Sequence, residues 1–471
     1  MPSLGLSLTP ILFLLTALVV VIATIGPGAV QQYSYIILLS AAALTLALSY
    51  RFARRTRADL VEGFRRSARQ ILPAIPILAL IGTLSATWML SGVVPYLIYH
   101  GLEFLNPRLF LLTACLVCSV VSVVTGSSWT TIATIGLAFM GIGQVMGFSP
   151  GWIAGAVISG AYFGDKISPL SDTTVLAASS TDVPLFTHIR FMMLSTLPAL
   201  IIALIVYTAV GFTTDVTSEA TAENMEEALA ATFNLTHWVV AVPLLTVVMI
   251  ALRLPTWITL SAGSLAGLIA IFVFQPDIAA SLSWYRILLS DTALATGSAT
   301  LDPLVATGGV AGMIPTVILI ASALVFGGAL LGTGMLRSIA VAFTSRLSRP
   351  RNLVGATVGS GLFLNCFTGD QYLSIIIGGN IFRRIYRDNG LRPQVLSRAL
   401  EDSISVTSVL IPWNSCGITQ STVLGVATLT YLPFCIFNYV SPLMSIILAW
   451  AGFRLHAPSP ALTPVQAGAE A

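Results

Sequence analysis

The chain has 471 residues, 56% hydrophobic and only 9% charged, with a formal net charge of +3 and a mean hydropathy of +0.91. A soluble domain carries about 25% charged residues, so this composition excludes a water-facing surface of ordinary size and suits a chain whose solvent is mostly lipid. A nucleic-acid binder is excluded as well, because the basic residues fall in short runs between apolar segments.

From the N-terminus, Met1 to Pro10 carries no positive charge ahead of its apolar run and no small-residue cleavage site. Residues 9–25 therefore read as a first spanning helix rather than a signal peptide. A spanning helix needs about 20 mostly apolar residues, and further candidates lie at 31–50, 71–91, 191–211, 237–252, 256–275, 312–334 and 430–453. Segments 151–180 and 395–425 are long enough to span but carry polar and helix-breaking interruptions. Segments 108–146 and 351–383 each read as two shorter apolar arms around a polar tip. All five cysteines (Cys115, Cys118, Cys366, Cys416, Cys435) fall in apolar segments, and the single CxxC has no second copy, so they read as buried structural thiols. The Pro- and Ala-rich tail, 455–471, is expected to be disordered.

Orientation follows from the arginines. Arg51, Arg54, Arg55, Arg57, Arg65, Arg66 and Arg69 form one cluster, Arg337, Arg346, Arg349 and Arg351 a second, and Arg383, Arg384, Arg387, Arg392 and Arg398 a third. The positive-inside rule places all three in the cytoplasm. The stretch 212–236 holds Asp215, Glu219, Glu223, Glu226 and Glu227 with no Lys or Arg, as expected outside. Counting spans between these markers puts both termini in the cytoplasm of a multi-pass cell-membrane protein. Segment 351–383 is basic at both ends, so it must leave and return on one side, either as a re-entrant hairpin or as two short complete helices.

Sliding the chain against itself by 243 residues aligns its polar breaks without a gap. Pro107-Arg108 falls on Pro350-Arg351, Thr125-Gly126 on Thr368-Gly369, Gly136 on Gly379, Gly147 and Pro150 on Gly390 and Pro393, and Pro169 on Pro412. Loop 141–150 is uncharged while its partner 384–393 is basic, so the copies are expected to sit with opposite sidedness. That is the inverted-repeat pattern in which transporters place their sites between interrupted helices. The expected fold is an all-α membrane protein of two inverted repeats, 1–211 and 237–454, joined by an acidic extracytoplasmic loop at 212–236. It has about 10 spanning helices plus two re-entrant hairpins, or about 12–14 transmembrane segments.

Unpaired backbone is tolerated in a membrane only inside protein or along a wet cavity, so the interruptions are where chemistry is sought. The first copy supplies Thr125, Ser127, Asp165, Ser168, Ser171 and Asp172; the second supplies Asn365, Thr368, Asp370, Asn414 and Ser415. Their oxygens are hard ligands suited to Na⁺, with Asp165, Asp172 and Asp370 as its carboxylates, and freed N–H groups at half-helix starts suit a carboxylate solute. Asp165 and Asp172 would share a helix face, but Pro169 between them removes a backbone donor and makes local unwinding the expectation. Lys166, the one lysine beside 21 arginines, could hold these carboxylates when the cation is absent, or form a purely structural pair. Glu401 and Asp402 read either as proton carriers or as helix-start acids beside cytoplasmic arginines. His100, His188, His237 and His456 look isolated, and Trp129 and Trp413 flank the breaks.

At TGSSWTTIATIG (125–136), SGAYFGDKISPLSDTT (159–174), TGDQYLSIIIGG (368–379) and LEDSISVTSVLIPWNSCG (400–417) the sequence resembles the NhaC family of sodium/proton antiporters, within the ion transporter superfamily. The resemblance covers most of the chain. It implies a scaffold plus a transport domain, two opposed re-entrant hairpins, and Na⁺ exchanged for H⁺ by alternating access, with no cofactor. Relatives that couple these ions to small organic acids such as malate and lactate keep an organic-anion exchanger as the alternative. A homodimer through the scaffold is implied by the same resemblance. An intramembrane enzyme finds no HExxH or GxSxG support, and an inverted repeat serves alternating access better than a constant pore.

Overall fold

The computed structural model describes residues 2–26, 29–52, 56–72, 74–214, 219–252, 254–294, 296, 301–336, 338–339 and 350–455. Helices dominate, and the only β pairing among the described residues is an isolated bridge between Thr292 and Thr307. Tail residues 456–471 (with His456), Arg54, Arg55, Arg337, Arg346, Arg349 and Asp215 lie outside the described residues.

Among the described residues, six helices are long and apolar enough to cross a membrane: Leu4–Thr24, Gln32–Phe52, Pro107–Thr125, Leu185–Thr213, Thr256–Phe274 and Ala311–Thr333. Three bent pairs raise the number to nine. These are Ile75–Leu90 with Val93–Phe104, Asn224–Thr232 with His237–Met249, and Thr428–Phe434 with Ile436–Trp450, bent by 62°, 88° and 56°. Their outer faces stay apolar and exposed, as with Val19 and Val20, Ile201 and Ile205, and Leu265, Ile269 and Val273. Apolar surface on that scale marks a lipid-facing belt. The chain is a multi-pass membrane protein.

Several elements went unread in the sequence. Arg57–Ile71, part of the first arginine cluster, is a helix opened by a Thr56–Asp59 capping box. Its arginines Arg65, Arg66 and Arg69 face outward while Gly63 and Ser67 are buried. A Cβ on Gly63 would sit 2.4 Å from the backbone N of Gly332, so the two helices touch backbone to backbone. Glu219–Thr232 turns the acidic stretch into a helix, with Met225, Leu229 and Phe233 buried at four-residue spacing. Leu455, read as the start of the tail, is buried and its carbonyl accepts from the Arg392 N–H. His100 and His237 are not isolated: their rings stack 5.9 Å apart, and the Tyr96 hydroxyl bonds His237 at 2.7 Å. The five cysteines are free thiols, four of them fully buried.

What positions the site is a unit that occurs twice. Phe110–Thr125 ends at Gly126, and the chain returns through Ser128–Thr131, a π-helical turn Ile132–Gly136, and Leu137–Val145. Pro350–Thr368 ends at Gly369 and returns through Gln371–Asp388. Gly126 and Gly369, 243 residues apart, hold φ of +66° and +65°, a left-handed turn that glycine adopts without strain. The next residue caps the returning arm in each: Ser127 Oγ accepts from Thr130 N–H and Asp370 Oδ1 from Leu373 N–H. Thr125 and Thr368 each accept from the N–H two residues on and pair with the hydroxyl six residues on, Thr131 and Ser374.

A broken helix follows each hairpin. Pro150–Ile167 stops, the chain runs non-helical through Ser168–Ser171, and Asp172–Ser180 starts on a Ser171 cap. Its counterpart is Pro393–Leu400, a π-helical turn Glu401–Ser405, and Ser415–Leu424 on an Asn414 cap. In both, proline at the first helical position needs no N–H bond. The first broken helix lies tight on its hairpin: a Cβ on Gly160 would meet the Cys115 carbonyl at 2.1 Å, and one on Gly164 the Ser119 carbonyl at 2.3 Å. Such small-residue contacts, four apart, let membrane helices approach closely.

Candidate functional site

The first tip and the first break face each other across a cavity of about 520 Å³. Gly126 sits against the break, since a Cβ there would lie 2.6 Å from that of Leu170. Thr125, Ser127, Trp129 and Thr130 line the cavity from the tip, and Asp165, Leu170, Ser171, Asp172 and Thr173 from the break. Leu254, Pro255, Thr256 and Thr259 close it at the start of Thr256–Phe274, and Gln371 and Tyr372 enter from the second hairpin. Four helices thus begin at the cavity wall, and their dipoles give the rim partial positive charge.

Two carboxylates face this space. Asp165, in the last turn of its helix, accepts from the Ser128 N–H at 3.1 Å and the Ser128 hydroxyl at 2.7 Å. Asp172 is the first residue of the next helix and is exposed to the cavity, with no hydrogen-bond partner among the described residues. Pro169 lies in the unwound link between them, as expected from its missing donor. Among the described residues, no lysine or arginine lines the cavity. The arrangement can attract a hard cation through charge, hydroxyls and carbonyl dipoles, and it can hold a proton on either carboxylate.

The break spends many of its own polar groups internally. Ser168 Oγ donates to the Val123 carbonyl at 2.8 Å and is buried away from the cavity. The Thr174 hydroxyl donates to the carbonyls of Asp165 and Lys166, so these are not free to bind an ion.

Lys166 is not poised over Asp165 and Asp172. Its ammonium pairs with Asp402 and bonds Ser441 at 2.8 Å, fully buried. Asp402 also accepts from Ser441, Ser195 and Ser445. This pair ties the first broken helix to the second, with Phe437 packed by the ammonium. The reading of Glu401 and Asp402 as helix-start acids fails too: both are completely buried within the π-helical turn. Arg398 is buried with them, its guanidinium 4.9 Å from the Phe191 ring. His188, which looked isolated, is buried on Leu185–Thr213 and bonds Ser397 at 2.8 Å.

The second-copy residues are not in the cavity. Asp370 is buried as a helix cap, 3.4 Å from the Ser415 hydroxyl. Thr368 is used up within its tip. The Asn365 amide donates to the Ile404 carbonyl, and the Asn414 amide to the Asn365 carbonyl. Trp413 Nε1 donates to the Cys366 carbonyl at 2.7 Å. The Ser415 N–H donates to the Gly369 carbonyl at 2.8 Å. These bonds join tip to break, and none of the residues that make them lines the cavity of the first copy. What the second half gives the cavity is Gln371 and Tyr372, directly beside Asp370. Sequence reading passed over them because neither is charged, although their place just after the tip was a usable signal. Thr256 and Thr259 were hidden in an ordinary apolar span, with only Pro255 to mark a helix start.

A polar site held between interrupted helices of a multi-pass membrane protein is the build of a secondary transporter. The chain belongs to the Na⁺/H⁺ antiporter family, whose sequence model matches residues 2–179 and 160–453. It is 37% identical over 393 residues to the Na⁺/H⁺ antiporter NhaC of Alkalihalophilus pseudofirmus, covering 83% of this chain and 84% of that one. It is 36% identical to the malate-2H⁺/Na⁺-lactate antiporter of Bacillus subtilis, covering 84% of each. Over 98% of this chain and 95% of the other, it is 34% identical to the arginine/ornithine antiporter ArcD of Halobacterium salinarum.

Proposed function

We propose that the protein exchanges Na⁺ for H⁺ across the cell membrane by alternating access. The observation that carries this reading is the pair Asp165 and Asp172 facing one cavity, with no lysine or arginine among its described lining residues. Two carboxylates near one another cannot cheaply stay charged and unpaired away from bulk water. Na⁺ or protons relieve that cost, and each displaces the other. Asp165, pre-set by Ser128, supplies a fixed oxygen; Asp172, free of partners, moves to the ion. Ser127 and Ser171, which line the same cavity, complete the shell. The Lys166–Asp402 pair stays neutral throughout and keeps the two broken helices together.

The two tip-and-break units are read as inverted copies, with the arginine clusters and both termini in the cytoplasm. The repeated caps and turns support a repeat, and the opposite charge of loops 141–150 and 384–393 supports the inversion. A scaffold-mediated homodimer fits this reading.

The cavity volume favours a second reading. A bare Na⁺ fills little of about 520 Å³, and four helix N-termini at the wall suit a carboxylate group. An organic acid moving with the ions would use both features, as the name of the Bacillus relative states for that protein.

Proteoliposomes with a trapped pH-sensitive dye separate the two. Outside Na⁺ alone is expected to drive proton movement. Silence until malate or lactate is added would transfer the assignment to the organic-acid exchanger.

A further inference from the structure

Adjacent acids in the second broken helix have opposite surroundings. Asp402 is met by Lys166 and three serines. Glu401 is equally buried, yet neither of its carboxylate oxygens has a hydrogen-bond partner. Arg398, three residues earlier, is also fully buried with all three guanidinium nitrogens unpartnered, so the two opposite charges do not pair with each other. Ser405 Oγ, Asn438 Oδ1, Thr196 Oγ1 and His188 Nε2 are buried without partners around the same turn. In folded proteins such atoms are met by water. The turn is π-helical, a local geometry that recurs at functional sites.

Glu401 lies behind the cavity wall. The hydroxyl of Thr173, a cavity-lining residue, stands near its carboxylate, as does that of Ser405, although neither makes a bond. Asp165 and Lys166 are the charged groups facing it from the first broken helix. Asp402 and Arg398 flank it on its own helix, and Tyr386 faces Arg398 from the second hairpin. From the last helix come Asn438, Ser441 and Ser445, none of them titratable. No hydrogen bond joins Glu401 to Asp165 or Asp172.

We infer that Glu401 is a second proton-carrying site of the exchange cycle, set behind the cavity and separate from the cation-binding carboxylates. The inference rests on the exchange reading above. When the cavity is empty of Na⁺, a proton from cavity water passes Thr173 and forms an O–H bond on Glu401. Na⁺ arriving at Asp165 and Asp172 raises the local positive potential, the O–H bond breaks, and the proton returns to water as hydronium. No electron moves, and the remaining carboxylate is balanced by the arriving Na⁺. An unpaired carboxylate so deep in a membrane protein is costly to keep and needs such a reason.

The test uses the full-length protein in proteoliposomes with two readouts: ²²Na⁺ counterflow at equal pH on both sides, and Na⁺-driven proton movement. Glu401→Gln is expected to keep counterflow at the wild-type level and to lower the protons moved per Na⁺ about two-fold, since Asp165 and Asp172 still exchange theirs. Retention of both activities at the wild-type level overturns the inference, and so does loss of both in a folded protein, which would put Glu401 in the cation site. Absence of Na⁺-driven proton movement in the wild type would instead sink the exchange reading. Should Glu401→Gln not fold, Glu401→Asp keeps the proposal open to failure: it is expected to fold and to retain both activities. If it too fails to fold, the role is structural and the proposal falls.

Discussion

At the first tip Gly126 abuts Leu170, Ser127 caps the returning arm, and the space beside them is open and lined by two carboxylates. At the second, Gly369 abuts Ala323, Asp370 caps the arm, and Trp413, Asn414 and Ser415 close the gap with hydrogen bonds. The backbone device is the same, but what it encloses differs. A left-handed glycine and a polar cap build a stable helix break; they do not by themselves build a binding site. The site appears where the polar groups exceed what the break consumes. In the first copy Asp172 is left over. In the second, the carboxylate at the tip, Asp370, is used as the cap.

Breaking what the two units share should have the largest effect. Lys166 belongs to the first broken helix and Asp402 to the second, and both are fully buried. Removing one partner strands the other, so Lys166→Met alone is expected to cost about 3–5 kcal/mol. Thermal unfolding in detergent checks this, and adding Asp402→Leu to it should recover most of the loss. Failure of the double substitution to recover stability would mean the pair does more than brace.

A smaller effect compares the two glycines. Alanine at Gly126 or Gly369 carries the left-handed penalty of about 1–2 kcal/mol. At Gly126 the added Cβ would also meet Leu170 at 2.6 Å, whereas at Gly369 the nearest atom, the Ala323 Cβ, is 3.0 Å away. Gly126→Ala should therefore lower stability more and also reduce Na⁺-driven transport. Gly369→Ala should lower stability alone. Smallest is the cap itself: Ser127→Ala should cost about 1 kcal/mol, read as a modest fall in melting temperature.

Much of this organisation was legible in the sequence because turns and breaks have strict chemistry. Gly126, Gly369, Pro150, Pro393 and Pro169 mark hairpin tips, helix starts and a link, and the 243-residue offset fell on matching caps. Apolar length located the main spans. The helix at 57–71 was hidden because its arginines read as a loop signal, although Gly63 and Ser67 formed a buried stripe between them. Asp165 and Asp172, which line the cavity, stood out by cost: a carboxylate in an apolar chain needs a partner. The same reasoning misplaced Asp370 and Lys166, because sequence shows that a charge must be satisfied but not by which group. Ser195, Ser441 and Ser445 satisfy Asp402 from helices that looked merely apolar.

The most direct measurement sets the two units side by side, comparing Na⁺-driven proton movement in proteoliposomes of Asp172→Asn and Asp370→Asn with that of the wild type. The account predicts a loss of about 100-fold for Asp172→Asn with its melting temperature unchanged, on the scale of a lost charged contact of about 3 kcal/mol. For Asp370→Asn it predicts transport retained and stability lowered. Normal exchange in Asp172→Asn, or its abolition in a stably folded Asp370→Asn, would contradict the assignment of the site to the first unit.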